Sequence, residues 1–115
     1  KKKNLSMNRL ISLRSEQDIK ELLRKGRSLE NYLFRVVYKN KAAGGGRLLL
    51  IVSKNVSKKA VVRNKLRRRI RERLRKINFQ SRDTDLAVLV KKPAETETSK
   101  NFYKELDALY EKIPG

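Results

Sequence analysis

The apolar positions of the chain fall into helical stripes and strand-like runs, in the order helix, strand, strand, helix, strand, helix. Ser15-Glu16-Gln17-Asp18 reads as a helix start, with Ser15 as N-cap and acids in the first turn. Ile19, Leu22 and Leu23 then supply an i, i+3, i+4 face, and Gly26 closes the helix. From Tyr32 to Tyr38 the pattern alternates: Tyr32, Phe34, Val36 and Tyr38 share one side, Leu33, Arg35 and Val37 the other. Leu48 to Val52 and Leu86 to Val90 are unbroken apolar runs, as in strands covered on both faces. Gly44-Gly45-Gly46 marks a hairpin connection between the first two strands. Val62, Leu66, Ile70, Leu74 and Ile77 step by four, four, four and three, and Phe102, Leu106, Leu109 and Ile113 by four, three and four. Both sets make one stripe of a helix. A strand, a helix and a further strand in succession imply a crossover and a parallel pair.

Smaller features complete this α+β reading. Asp83-Thr84-Asp85 reads as turn and cap residues before the third strand; a metal pair would need further acids. A short fourth strand has room around Ala94 to Thr98 or elsewhere in the chain. Length 115 suits a single compact domain, from residue 10 to 115, behind a flexible basic arm at residues 1–9.

Charge narrows the function. Lysine and arginine number 31 against 12 acids, for a net charge of +19. Between Ser53 and Lys76 stand twelve of those cations and one acid, Glu72. Around the helix, Asn64, Arg67, Arg68, Arg71 and Arg75 lie opposite the Val62–Ile77 stripe, while Arg63 and Arg73 border it. One face packs, and the other is a row of guanidinium groups that fits phosphates. Solubility alone would be served by mixed signs, so the partner implied is a polyanion, nucleic acid first. With no cysteine and no histidine, thiol chemistry, zinc-thiolate sites and the commonest general base are excluded. No apolar run is long enough to span a membrane, and a reducing cytoplasm fits the cysteine-free composition.

The stretch SKNVSKKAVVRNKLRRRIRERLR, from Ser53 to Arg75, resembles the signature of the bacterial ribonuclease P protein subunit. That family carries an Arg-Asn-Arg helix behind a Ser-Lys-Lys-Val-Gly-Lys-Ala-Val-like loop. Arg63, Asn64, Arg67, Arg68 and Arg71 match its basic or amide positions, Lys65 replaces its third motif residue, and Ser57-Lys58 stands where the loop glycine is usual. The resemblance implies a ribosomal-protein-like fold with an unusual left-handed βαβ crossover, against the general right-handed rule. It also implies a protein subunit that binds a catalytic RNA and the 5′ leader of precursor tRNA, as a monomer in a 1:1 complex. The RNA, with Mg²⁺, performs the endonucleolytic cleavage, and no metal is assigned to the protein. Lys54, Lys58, Arg63, Asn64, Lys65, Arg67, Arg68 and Arg71 are expected on the catalytic RNA. Ile19, Leu23, Phe34 and Val36 are the candidates for the leader cleft, where the family's first helix usually carries phenylalanines; the other reading of these positions is core. Two other readings of the charge are a structural ribosomal or RNA-chaperone protein and a stand-alone metal nuclease. The first leaves the Arg63-Asn64 context unexplained, and the second needs a carboxylate cluster that the sequence does not mark.

Overall fold

A computed structural model describes residues 10–114; the basic arm at residues 1–9 lies outside them. The elements are β1 (Ile11–Ser12), α1 (Glu16–Lys25), β2 (Arg27–Glu30), β3 (Phe34–Asn40), β4 (Arg47–Ile51), α2 (Ala60–Lys76), β5 (Thr84–Val90) and α3 (Ser99–Glu111). Single 3₁₀ turns at Phe79–Ser81 and Lys92–Glu95 flank β5.

The helices begin and end as local chemistry dictates. Ser15 caps α1 by accepting from the Asp18 amide at 3.3 Å, and Thr98 caps α3 by accepting from the Asn101 amide at 3.2 Å. Asn78 ends α2 in the left-handed region at φ 65°, a conformation asparagine tolerates. Gly26 ends α1 for a different reason: its backbone is extended, and a Cβ there would come within 2.5 Å of the Leu22 carbonyl oxygen and 2.7 Å of Val37. The requirement is close approach, not a positive φ.

The sheet order is β1-β4-β5-β3-β2. β4 and β5 are parallel and joined through α2, as the crossover predicts. The expected β3–β4 hairpin does not form. β5 inserts between them, antiparallel to β3 and parallel to β4. β5 is the most thoroughly buried strand, every residue but Leu89 being enclosed, and the centre of the sheet is where both faces and both edges are covered. The glycine loop therefore steps over the start of β5. Gly45 donates to the Asp83 carboxylate at 2.8 Å, and the Lys41 amide donates to the Asp83 carbonyl at 2.8 Å. β3 begins at Phe34 rather than Tyr32. The candidate strand around Ala94 is instead the 3₁₀ turn containing Pro93, whose missing N–H suits a helical first turn. The additional strands are β1, two residues on the β4 edge, and β2, antiparallel to β3.

The two faces of the sheet are covered unequally. Phe34, Val36, Tyr38, Leu48, Leu86, Val88 and Val90 pack against Leu66, Ile70 and Leu74 of α2 and Phe102, Leu106 and Leu109 of α3. On the other face the buried apolar cluster among the described residues is small: Leu13, Val37 and Ala87, with Leu22 of α1. Asp85, expected as a turn or cap residue, is instead inside β5 and 6% exposed. Arg47 donates to both of its carboxylate oxygens, Nε at 3.0 Å and Nη2 at 2.8 Å, and Lys41 adds an ion pair at 3.0 Å. Burial disfavours the charged carboxylate, but those bonds and charges outweigh it and hold Asp85 below its ordinary range.

Candidate nucleic-acid interface

The basic helix α2 buries the predicted stripe. Leu66, Ile70 and Leu74 are fully enclosed, and Val62 and Ile77 pack at its ends. Its first turn has neither an acid nor a capping side chain. Uncapped amides at a helix N-terminus attract anions, and here Lys58 and Lys59 precede them, exposed. The preceding loop is folded down, with Val52, Val56 and Ser57 buried. Ser57, standing where the family's loop glycine is usual, makes the turn itself: its hydroxyl accepts from the Lys59 amide at 3.2 Å. Asn78 is the one non-glycine with positive φ among the described residues, so this loop needs no glycine.

The arginines of α2 divide by task. Arg73 forks onto the Asp107 carboxylate, Nε at 3.0 Å, and lies over the Tyr103 ring at 5.6 Å. Arg69 sits 5.9 Å over Phe102. Both face α3 and hold the two helices together. On the other border, Arg63 donates to the Ser57 carbonyl at 2.9 Å, fastening the loop to the helix. Arg67 donates to Asn64 Oδ1 at 2.7 Å and to the Val52 carbonyl at 3.3 Å. Arg67, on the polar side of the helix, is therefore tied to the fold, since one of its donors restrains the end of β4.

Between these borders lie Lys65, Arg68, Arg71, Arg75 and Lys76, and none of them forms an ion pair or side-chain hydrogen bond among the described residues. Like charges at three- and four-residue spacing cost a helix about 0.2–0.5 kcal/mol each. The chain tolerates that cost on one face while pairing its acids with Lys39, Lys41, Arg47, Arg73, Lys91 and Lys92 elsewhere. Of the residues expected on the catalytic RNA, Arg63, Asn64, Lys65, Arg67, Arg68 and Arg71 fall on α2, and Lys54 and Lys58 flank its start. The structure places these eight on α2 and on the loop that leads into it.

The four candidates for a leader cleft are not brought together. Phe34 and Val36 are 0% and 2% exposed and face α2 and α3; Phe34 stacks edge-on against Phe102 at 5.0 Å. Ile19 and Leu23 stand on the opposite face, on α1. Alternation fixes which strand residues share a side, but not which side α1 covers; the aromatic side is the one packed against α2 and α3, so of the two readings of Phe34 and Val36 the core one holds. The α1 face offers a different strip. Strand register aligns Ile51, Leu89, Arg35 and Glu30 in one row across β4, β5, β3 and β2. Arg35 and Glu30 are exposed, Ile51 and Leu89 partly so, and α1 does not cover the row. Ile19 of α1 packs on the same small cluster as Leu89, and Leu23, one turn on, is 40% exposed. Leu89, Ile51 and Arg35 were not singled out from the sequence because only cross-strand register aligns them.

The family model described as Ribonuclease P matches residues 7–114. A ribonuclease P protein component from Dictyoglomus thermophilum is 36% identical over 98 residues, covering 84% of this chain and 80% of that protein. Among solved structures, the RNase P protein of Staphylococcus aureus superposes with a TM-score of 0.80 at 27% identity, over 90% of this chain and 94% of that one. The RNase P protein from Thermotoga maritima gives 0.79 at 27% identity, over 90% and 98%.

Proposed function

The chain belongs to the ribonuclease P protein family, and from that premise we propose how its two surfaces serve the removal of the 5′ leader from precursor tRNA. It is the protein component of that ribonucleoprotein endoribonuclease, and its partner is the RNA subunit. The α2 face docks on the catalytic RNA through Arg68, Arg71, Lys65 and Arg75, with Lys54 and Lys58 at the uncapped helix start. Contacts of this kind position an RNA without reading its sequence. The leader of the precursor runs along the row Ile51–Leu89–Arg35 beside Leu23. Apolar surface and one guanidinium serve there in place of stacked aromatic rings.

The carrying observation is the outward row of α2, which keeps its cations unpaired while acids neutralise those elsewhere. Among the described residues no three His, Cys, Asp or Glu side chains gather to hold a metal ion. In this reading the donors for Mg²⁺ belong to the RNA, and the protein lowers the Mg²⁺ that RNA requires by screening phosphate repulsion. One protein binds one RNA, in the cytoplasm where tRNA is matured. No helix among the described residues is long and apolar enough to cross a membrane.

Incubation with precursor tRNA, with and without the cognate catalytic RNA, tests the division of labour. Cleavage at the mature 5′ end is expected only with the RNA, and at lower Mg²⁺ when the protein is added. Cleavage there by the protein alone, after nuclease controls, overturns it.

A further inference from the structure

Helix α1 is held differently from the other two helices. Its apolar support is slight, with Leu22 its one fully buried residue. Its acidic side carries two ion pairs to the sheet. Asp18 Oδ2 accepts from Arg47 Nη1 at 3.0 Å, while the rest of that guanidinium is forked on Asp85. Glu21 Oε2 accepts from Lys39 at 3.0 Å, and the hydrogen bond and charge of Lys39 hold its carboxyl below the usual range. Arg47, Asp85 and Lys39 are aligned by register across β4, β5 and β3. The helix therefore crosses these strands with its acids locked to a charged row on one side. At about 100° per residue, Leu23 lies some 140–160° around the helix from Asp18 and Glu21. It faces the other way, toward the open row at Ile51, Leu89 and Arg35.

We propose that Asp18 and Glu21 are positioning residues for the precursor leader: paired with Arg47 and Lys39, they hold α1 as the wall of the groove that the leader occupies. The inference rests on the leader-groove reading above. Without these pairs the wall has only its small apolar cluster to fix its distance from the row, and groove contacts are lost by displacement. The sign of the effect makes the idea testable. In a protein of net charge +19, removing two carboxylates should strengthen binding to any RNA on charge grounds alone. Positioning requires the opposite result for the leader.

The experiment uses the holoenzyme, assembled on its catalytic RNA, and compares Kd for precursor tRNA with Kd for mature tRNA. The Asp18→Asn/Glu21→Gln variant is expected to lose about threefold to tenfold of the preference for precursor, the scale of two exposed ion pairs. Assembly on the catalytic RNA should be unchanged or tighter. Glu21→Gln alone should show a smaller loss in the same direction, and the swapped pair Glu21→Lys/Lys39→Glu should restore it. Leu23→Asp tests the groove itself, by placing a carboxylate where leader phosphates would pass. If Leu23→Asp abolishes the preference and the double variant keeps it, the groove stands and the positioning role is wrong. If both variants keep the preference, the groove reading fails and the positioning role fails with it. If the double variant loses melting temperature and assembly in proportion to leader preference, the carboxylates only stabilise the fold, and the proposal is overturned.

Discussion

Replacing Arg68 and Arg71 with alanine isolates the α2 surface from the fold. Arg68 is exposed, Arg71 half-buried, and neither has a side-chain partner among the described residues. Alanine is at least as good a helix former as arginine, and such surface changes usually stay within about 0.5 kcal/mol of stability. Two phosphate contacts are removed. Each contributes about 0.7 to 0.9 to the slope of log K against log salt, so the slope should fall by roughly 1.4–1.8. If that contribution vanishes near 1 M salt, the loss at about 0.15 M is some 15- to 30-fold, or about 1.6–2.1 kcal/mol. The assay is equilibrium binding to the catalytic RNA from about 0.05 to 0.4 M salt, with melting measured on the same samples. Arg67→Ala is the informative contrast. It removes the donors to Asn64 and Val52, so it should cost about 1 kcal/mol of stability, which the Arg68/Arg71 variant should not. An unchanged salt slope for the double variant, with an intact fold, would remove α2 from the docking surface.

Phe34→Leu removes an edge-to-face partner of Phe102 inside the core, so melting should fall by about 1–2 kcal/mol while preference for leader-bearing substrate is kept. A normal melting temperature with lost leader preference would return Phe34 to the cleft. Asp85→Asn leaves Arg47 and Lys41 facing a neutral group, and should cost about 3 kcal/mol near pH 7, the low end for a broken buried pair because both cations keep solvent access. The folded pKa of Asp85 lies below its unfolded value, so its contribution is full at neutral pH and fades as pH falls through the folded value. Urea unfolding at about pH 7 and about pH 3 should show the gap between wild type and variant narrowing on acidification; a constant gap refutes the pairing. Arg35→Ala should weaken precursor tRNA more than mature tRNA and leave assembly unchanged, which competition binding on the holoenzyme reads directly.

What was legible in the sequence was local. The stripe from Val62 to Ile77 needs only the helical period, the Ser15 cap only three residues, and the charge of α2 only its composition. The order of strands was not local. That Leu86–Val90 separates the two earlier strands depends on which run most needs cover on every side, and the sequence places β3 and β4 side by side. Asp85 reads as a turn residue because its partners, Lys41 and Arg47, are about forty residues away. The RSLE segment of β2 has no alternation because it is an exposed edge, held by backbone pairing with β3. Phe34 and Val36 lie in the core for the same reason. Phe34 is the most conspicuous aromatic on a strand, yet conspicuous aromatics make core, and the open row is built from an arginine, a leucine and an isoleucine that meet only in the folded sheet.

The topology also puts the proposed docking surface and the proposed groove near one another. β4 and β5 are parallel, so both leave the sheet at the same end. From Ile51, the last residue of β4, the chain reaches Lys54 in three residues and the start of α2 at Ala60. From Val90, the last of β5, it reaches Lys92, whose ammonium donates to the Asn55 carbonyl at 3.4 Å and so joins the two exits. The groove row ends at Ile51 and Leu89, next to both. A catalytic RNA held on α2 and a leader lying along that row would thus meet at one edge of a single rigid domain, where Lys54, Lys58 and Lys92 supply charge between two polyanions that otherwise repel. The fold contributes proximity and screening at that edge, and neither requires a catalytic side chain.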